Sequence, residues 1–424
     1  MNKEKYLKEL TNGGMANTNL MQFKITSRFR YIRNKFNNIL SDIIPNAKKI
    51  ILVYHGVDID GLGCRIICEL IEKIGGFKCI YYPCNKRADE AYEEIKENLS
   101  DYDLCIVADL NFTEEYTKIV NNNLDTSKIV LLDHHQHAMF LNNESWAYVH
   151  PHDIIEEDIT SGTLLTFVFL LPYIECLLED YYNTVSEKNF ITVEELFDDL
   201  LSDLVNFVLA TAAHDTWYAH DLNTKEECYK LLDELPTQLT QVYESDKDNY
   251  VDSIVDNLLN KDDVLSIEQY NICSTVSRII QKQCSFMWHH CRIIKYKIDD
   301  KIVTIAFCYV THYTSEIGNY ILEKQPEVDF VMLVNPNINN VSFRSRTGEY
   351  NVQEIAKMNG GGGHQAASGL TLKDKDFFYD NIYNTITTVV SNCRIEMEIS
   401  YDNTVIHNMK DYEYDKELNK YIIE

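Results

Sequence analysis

The chain has no surplus of positive charge. Its 424 residues carry 39 Lys and Arg against 66 Asp and Glu, a formal net charge of −27. A protein that coats duplex nucleic acid needs a basic stripe, so that class is disfavoured. A small phosphate-bearing substrate held by metal ions and a few arginines is compatible with such a surface. No CxxC pair occurs among the 12 cysteines; Cys64 and Cys68 stand four apart in a predicted helix, and the rest are scattered. This argues against a disulfide framework or a zinc ribbon, and for reduced thiols buried as small hydrophobes. Long apolar runs are also missing. The most hydrophobic window, residues 164–171, is closed by Pro172 and is too short to span a bilayer. The opening MNKEKYLKEL lacks the apolar centre of a signal peptide. The expectation is a cytoplasmic protein with no membrane segment, long enough for two or three domains.

What the chain does have is an alternation of apolar runs and amphipathic stretches. Residues 49–55, 78–82, 103–109 and 128–132 read as buried strands, with helical patterns at 64–74, 89–98 and 113–121 between them. Strand and helix in turn predict a doubly wound, mainly parallel sheet. Before it, residues 22–43 space apolar side chains at three and four with basic residues between, an amphipathic helix within an N-terminal extension, 1–45. Residues 46–262 are expected to form the first α/β domain, its later part mostly helical, with the acidic segment 179–195 as an exposed connection. A linker helix at 263–293 leads to a smaller mixed α/β domain at 294–395. There, strands are expected at 301–309, 328–335, 341–346 and 366–372 and helices at 313–323 and 352–358. A tail, 396–424, follows, with a last strand expected at 394–399.

Chemistry-bearing residues cluster at the ends of the early strands. His55, Asp58 and Asp60 lie in HGVDIDG, Asp109 ends the third strand, and Asp133-His134-His135 follows the fourth. In open α/β sheets ligands sit at strand C-terminal ends, so these side chains can converge on one rim. Asp215, in AAHDTW, comes from a later helix. Carboxylates packed this densely repel one another, and divalent cations remove that cost. Asp and Gly are equally common in plain surface turns, so HGVDIDG alone leaves both readings open. Together the set exceeds one zinc site and suits two octahedral ions, with mixed oxygen and imidazole donors favouring Mn2+, and Mg2+ or Co2+ able to substitute. Farther on, Arg344, Ser345 and Arg346 precede a run of glycines, Gly360, Gly361, Gly362 and Gly363, and then His364. Glycines let the backbone approach an anion, and arginines suit phosphate.

HxxDxDG, a strand-ending Asp, DHH, a later Asp, then SxRS with GGGGHxxAxG together resemble the DHH/DHHA1 phosphoesterases, over residues 48–372. HGVDIDGLGC and HDTW are most similar to its oligoribonuclease, or nanoRNase, branch. The resemblance implies that His55 and Asp58 bind one metal ion, Asp60, His134 and Asp215 a second, and that Asp109 bridges both. It implies that Asp133 supports the ligands, that His135 faces the scissile phosphate, and that Arg344, Ser345, Arg346, Gly360 to Gly363 and His364 hold the substrate across a cleft between the domains. Ser368 departs from the usual HxxAAG ending. The implied activity is hydrolysis of short oligonucleotides to nucleoside monophosphates by a hydroxide formed from water between two ions. Cyclic or linear dinucleotides, 3′-phosphoadenosine phosphate and, less so, longer single strands are the alternative substrates, and the question of a homodimer stays open.

Overall fold

A computed structural model describes residues 25–151, 160–189, 193–216, 234–260, 263–298, 301–346, 349–363, 365–372, 399–401, 404–406, 412–415 and 420–423. The chain divides into two compact units, Met1–Cys273 and Ser274–Glu424, with the division inside one helix, Ile267–His290.

In the first unit, strands β1 (Lys49–His55), β2 (Lys78–Cys84), β3 (Leu104–Ala108), β4 (Ile129–Asp133) and β5 (Ala147–Val149) form one parallel sheet in the order β2-β1-β3-β4-β5. The strands β1, β3 and β4 read as unbroken apolar runs because both faces of the sheet are covered. Alternate residues go to opposite sides: Ile50, Leu52 and Tyr54 enter one core, Ile51 and Val53 the other. The first core is closed by α1 (Ile25–Lys35), α2 (Ile59–Lys73) and the long α3 (Gly162–Asn189), and the second by the helices Tyr92–Asn98 and Glu114–Asn123. This is the doubly wound α/β architecture. Strand order reverses at β1, so the crevice between the ends of β1 and β3 is the topological switch point.

Two sequence expectations change here. Helix α3 does not stop at Pro172 but runs through it to Asn189, and the next helix, α4 (Val193–Asp215), follows closely. Residues 179–189 and 193–195, expected as an exposed connection, are therefore helical. Pro172 removes one intrahelical bond, but Leu171 at 0% and Tyr173 at 4% exposure show that burial on either side outweighs the loss. The short edge strand β5 is an addition to the sequence reading; three residues carry too little pattern to be recognised.

The second unit is built on a mixed sheet in the order β10-β11-β9-β8-β7-β6-β12-β13. Its strands are β6 (Arg292–Ile298), β7 (Lys301–Tyr309), β8 (Phe330–Asn335), β9 (Asn340–Ser345), β10 (Gly362–Gly363), β11 (Ala367–Thr371), β12 (Ile399–Tyr401) and β13 (Thr404–Ile406). The helices α5 (Thr314–Lys324) and α6 (Val352–Met358) and the second half of the helix Ile267–His290 pack on it. Of the strand expected at 394–399 only Ile399 is described, in β12. Among the described residues no helix is long and apolar enough to cross a membrane.

Candidate metal centre

Strand β1 delivers His55 to the rim, and the chain turns at once into α2. Asp58 is the N-cap of that helix: one oxygen accepts from the Gly61 N–H at 3.0 Å, while the other lies 2.7 Å from His55 Nδ1. The His55 Nε2 is 3.0 Å from the Asn85 carbonyl, which takes its proton and leaves Nδ1 for the carboxylates. This turn works only because position 61 is glycine. A Cβ there would come within 1.9 Å of the His55 carbonyl oxygen.

Asp60, 1% exposed, lies in the first turn of α2. Both its oxygens are gripped by the N-terminus of α3: Gly162 N donates to Oδ2 at 2.7 Å and Thr163 N to Oδ1 at 2.9 Å. Free helix N–H groups are natural anion donors. They hold one face of the carboxylate and leave its other lone pairs for a cation.

Asp109 follows β3 with φ of 58°, a left-handed conformation uncommon for a residue with a side chain. Backbone strain of this kind gathers at functional sites. Helix α3 presses close behind it, since a Cβ on Gly162 would lie 2.3 Å from Asp109 Cβ. The conformation places Asp109 between two imidazoles. Its Oδ2 is 3.6 Å from His55 Nδ1 and its Oδ1 is 3.1 Å from His134 Nε2. The same His134 nitrogen is 3.5 Å from Asp215 and 3.7 Å from Asp60. Asp215 closes α4 and reaches the site from the helical side.

Behind this layer Asp133 is fully buried. Its Oδ1 accepts from His134 N at 2.8 Å, His135 N at 3.4 Å and His135 Nδ1 at 2.7 Å. The His135 ring is thereby turned with Nε2 away from Asp133.

The electrostatics are those of a cation site. Burial, then the charges of Asp109 and Asp215, push the Asp60 carboxyl well above its ordinary range. Burial also lifts Asp215, against the pull of His134, to about 6. Burial alone would lower the His55 imidazole, but its bonds with Asp109 and Asp58 raise it to about 11. His134 is likewise raised against burial by Asp215 and Asp109. Asp109 moves the other way: burial would raise it, and the two imidazoles hold it well below the carboxylate range. Protons on His55 and His134 thus stand in for positive charge among four carboxylates. Among the described residues the donors form three overlapping sets, His55–Asp58–Asp109, Asp60–His134–Asp215 and Asp109–Asp133–His134–His135, each with one ligand atom per residue within 4.8 Å of the others; in the third, Asp133 is engaged with the His134 and His135 main chain and the His135 ring. Carboxylate oxygens and imidazole nitrogens in such sets fit Mn2+, Mg2+ or Co2+.

The sequence reading thus named the side chains that meet at the rim. It missed the groups that hold them. Gly162 and Thr163 grip Asp60, and Asn111, two residues past Asp109, contacts Asp133. Arg87 and His137 in turn contact Asn111. Main-chain donors carry no residue signature, and Asn111 becomes informative only once β3 and β4 are known to be neighbours.

In the second unit Arg344 and Arg346 lie on the same face of the β9 extension, but differ in use. Arg346 gives one terminal nitrogen to the Val328 carbonyl at 2.7 Å and the other to those of Leu322 at 2.6 Å and Gln325 at 3.0 Å. Its fork is used inside the unit. Arg344 donates to Phe343 O and Ser315 Oγ, its Nε has no partner, and burial lowers its guanidinium to about 10. Ser345 points inward and donates to Tyr350 O at 2.6 Å. The glycine run turns sharply, with Gly360 at φ 78° and Gly363 at φ 130°. Gly362 and Gly363 pair with Gly369 and Ser368 of β11, and a Cβ on Gly361 would meet the Gly369 carbonyl at 2.1 Å. His364 lies outside the described residues.

A family profile, the DHHA1 domain, matches residues 303–392. Over 338 residues the chain is 25% identical to the oligoribonuclease NrnB of Bacillus subtilis, covering 76% of this chain and 73% of that protein. Among solved structures it is similar to a RecJ in complex with Mn2+ from Thermus thermophilus, at 15% identity and a TM-score of 0.48. That alignment covers 86% of this chain and 55% of the RecJ, so the chain spans little more than half its length. It is also similar to PggH, a pGpG-specific phosphodiesterase of Vibrio, at 13% identity and a TM-score of 0.39, over 81% of this chain and 99% of that one.

Proposed function

Because the chain belongs to the DHH/DHHA1 phosphoesterases, we propose that it is a divalent-metal-dependent hydrolase of short oligonucleotides that releases nucleoside monophosphates. The similarity to an oligoribonuclease over three quarters of the chain supports that substrate class. The observation that carries the reading is Asp109. Its Oδ2 lies 3.6 Å from His55 Nδ1 and its Oδ1 3.1 Å from His134 Nε2, so among the described residues it is the one carboxylate that stands beside both the imidazole of the His55 set and that of the Asp60–His134–Asp215 set, and would help to hold an ion at either.

In this reading His55, Asp58 and Asp109 would hold one ion, and Asp60, His134 and Asp215, with Asp109 beside them, the other. Two bound ions, Mn2+ in the first instance, would neutralise the phosphodiester and lower the pKa of a water between them. The protein's own groups do the rest. Burial would lower the His135 imidazole, but Asp133, which accepts from its Nδ1, raises it above its ordinary range. It donates from Nε2 to a phosphate oxygen as negative charge develops there. Asp133 keeps that ring in one orientation. Asp60 is fixed by main-chain N–H groups, so its geometry does not depend on a flexible side chain. In the DHHA1 unit Arg344, whose fork makes two hydrogen bonds where that of Arg346 binds three main-chain carbonyls, is the arginine proposed to meet a phosphate, alongside the glycine run and His364; Arg346 and Ser345 support it from within.

The test is hydrolysis of RNA from two to twenty nucleotides with Mn2+ and with chelator. Mn2+-dependent conversion of the shortest chains to mononucleotides is the expected result. Cleavage of a cyclic dinucleotide or 3′-phosphoadenosine phosphate alone would move the substrate to a neighbouring class and leave the metal centre standing.

A further inference from the structure

We propose that Asn111 is a positioning residue, tying Arg87 and His137 to the Asp133–His135 pair and so fixing the angle at which His135 meets the substrate. The proposal rests on the reading of His135 given above. Asn111 is 3% exposed and lies between the ends of β3 and β4. Its Oδ1 accepts from Arg87 Nη1 at 2.9 Å, and its Nδ2 donates to Asp133 Oδ2 at 3.1 Å. A guanidinium only donates and an ionised carboxylate only accepts, so chemistry fixes which way the amide faces. The same Nδ2 lies 3.3 Å from His137 Nε2, and the His137 ring centroid is 5.5 Å from that of His135.

The two oxygens of Asp133 therefore have separate duties. Oδ1 holds His135 Nδ1 and the main chain, and Oδ2 is held by Asn111. Without that donor a fully buried carboxylate oxygen loses a partner, which is costly. The carboxylate then regains rotation about its Cβ–Cγ bond, and the His135 ring turns with it. Arg87 stands just past β2, so the hydrogen-bonded chain Arg87–Asn111–Asp133–His135 braces three strand ends. A merely space-filling asparagine would have no need to commit its donor to the carboxylate that aims His135.

The test compares Asn111→Asp, Asn111→Ala, Arg87→Ala and the double alanine variant. Asn111→Asp keeps the shape and the acceptor for Arg87 but loses the donor to Asp133. Residues that orient a site's working groups typically cost about 10–100-fold in activity. Asn111→Asp should lose kcat on that scale, at least as much as Asn111→Ala, with KM and Mn2+ affinity by calorimetry unchanged. The double variant should be no worse than Asn111→Ala, since both residues act through one path. A filler role predicts the opposite: Asn111→Ala costing stability in urea without loss of kcat, and losses additive with Arg87→Ala. Imidazole 15N spectra of the metal-free protein read the same geometry without turnover. His135 Nδ1 should be protonated and hydrogen-bonded in the wild type, and its signal should change in Asn111→Asp. An unchanged His135 signal overturns the proposal whatever the substrate proves to be.

Discussion

Asp109 concentrates the account in one side chain. It sits in a left-handed backbone conformation, buried, with one oxygen toward each donor set. Asp109→Ala should reduce hydrolysis to the level of the chelated protein and weaken binding of both ions in calorimetry; loss of one binding event alone would reject the bridging role. The two arginines of the DHHA1 unit make a second residue-scale contrast. Arg346 satisfies three main-chain carbonyls, and stranding them should cost on the order of 1–3 kcal/mol. Arg346→Ala is thus expected to lower the urea midpoint with little change in KM for those molecules that remain folded. Arg344→Ala should raise KM with a smaller stability loss. The sequence could not separate the pair, because SFRSR gives both the same alternation. Only the position of the Leu322 and Gln325 carbonyls at the end of α5 decides it.

At the scale of elements, the strands were readable because each buried on both faces is an unbroken apolar run ending in a polar residue. His55, Asp109 and Asp133 follow from that pattern and from parallel order. What escaped was long-range: the N-terminus of α3 arrives from about a hundred residues away to grip Asp60, and no local spacing announces it. The proline that closes the apolar window in α3 was overridden by packing on either side of it. Close approach at the turn between β1 and α2 gives the third prediction. Gly61→Ala forces a Cβ onto the His55 carbonyl, and overpacking of this sort costs about 1–3 kcal/mol. Chemical denaturation should report that loss, with weaker Mn2+ binding because His55 and Asp58 share the turn. An unchanged affinity would detach the turn from the site.

For the whole molecule, the buried titratable cluster at the rim makes stability depend on pH, and bound ions would compete with its protons. His55 rises to about 11 in the folded chain, so its contribution is complete below the ordinary imidazole value and is lost as pH rises through the folded one. Asp215, lifted to about 6, binds a proton better folded than unfolded, so its ionisation also erodes stability as pH rises from about 4 to 6. Asp109, held low, contributes stability above its unfolded value that is lost only in stronger acid. The chelated protein should therefore lose Tm steadily from about pH 5 to 9, and Mn2+ should flatten that slope by replacing the protons. Parallel slopes with and without Mn2+ would show that the ions bind elsewhere. The central claim, a two-ion hydrolase of short nucleic acid, is tested most directly by following 5′-labelled RNA of two to twenty nucleotides with Mn2+ and with chelator. Conversion of the shortest chains to mononucleotides, abolished by chelator, is the predicted result. Undiminished cleavage in chelator, or no cleavage of any phosphodiester with Mn2+, would contradict it.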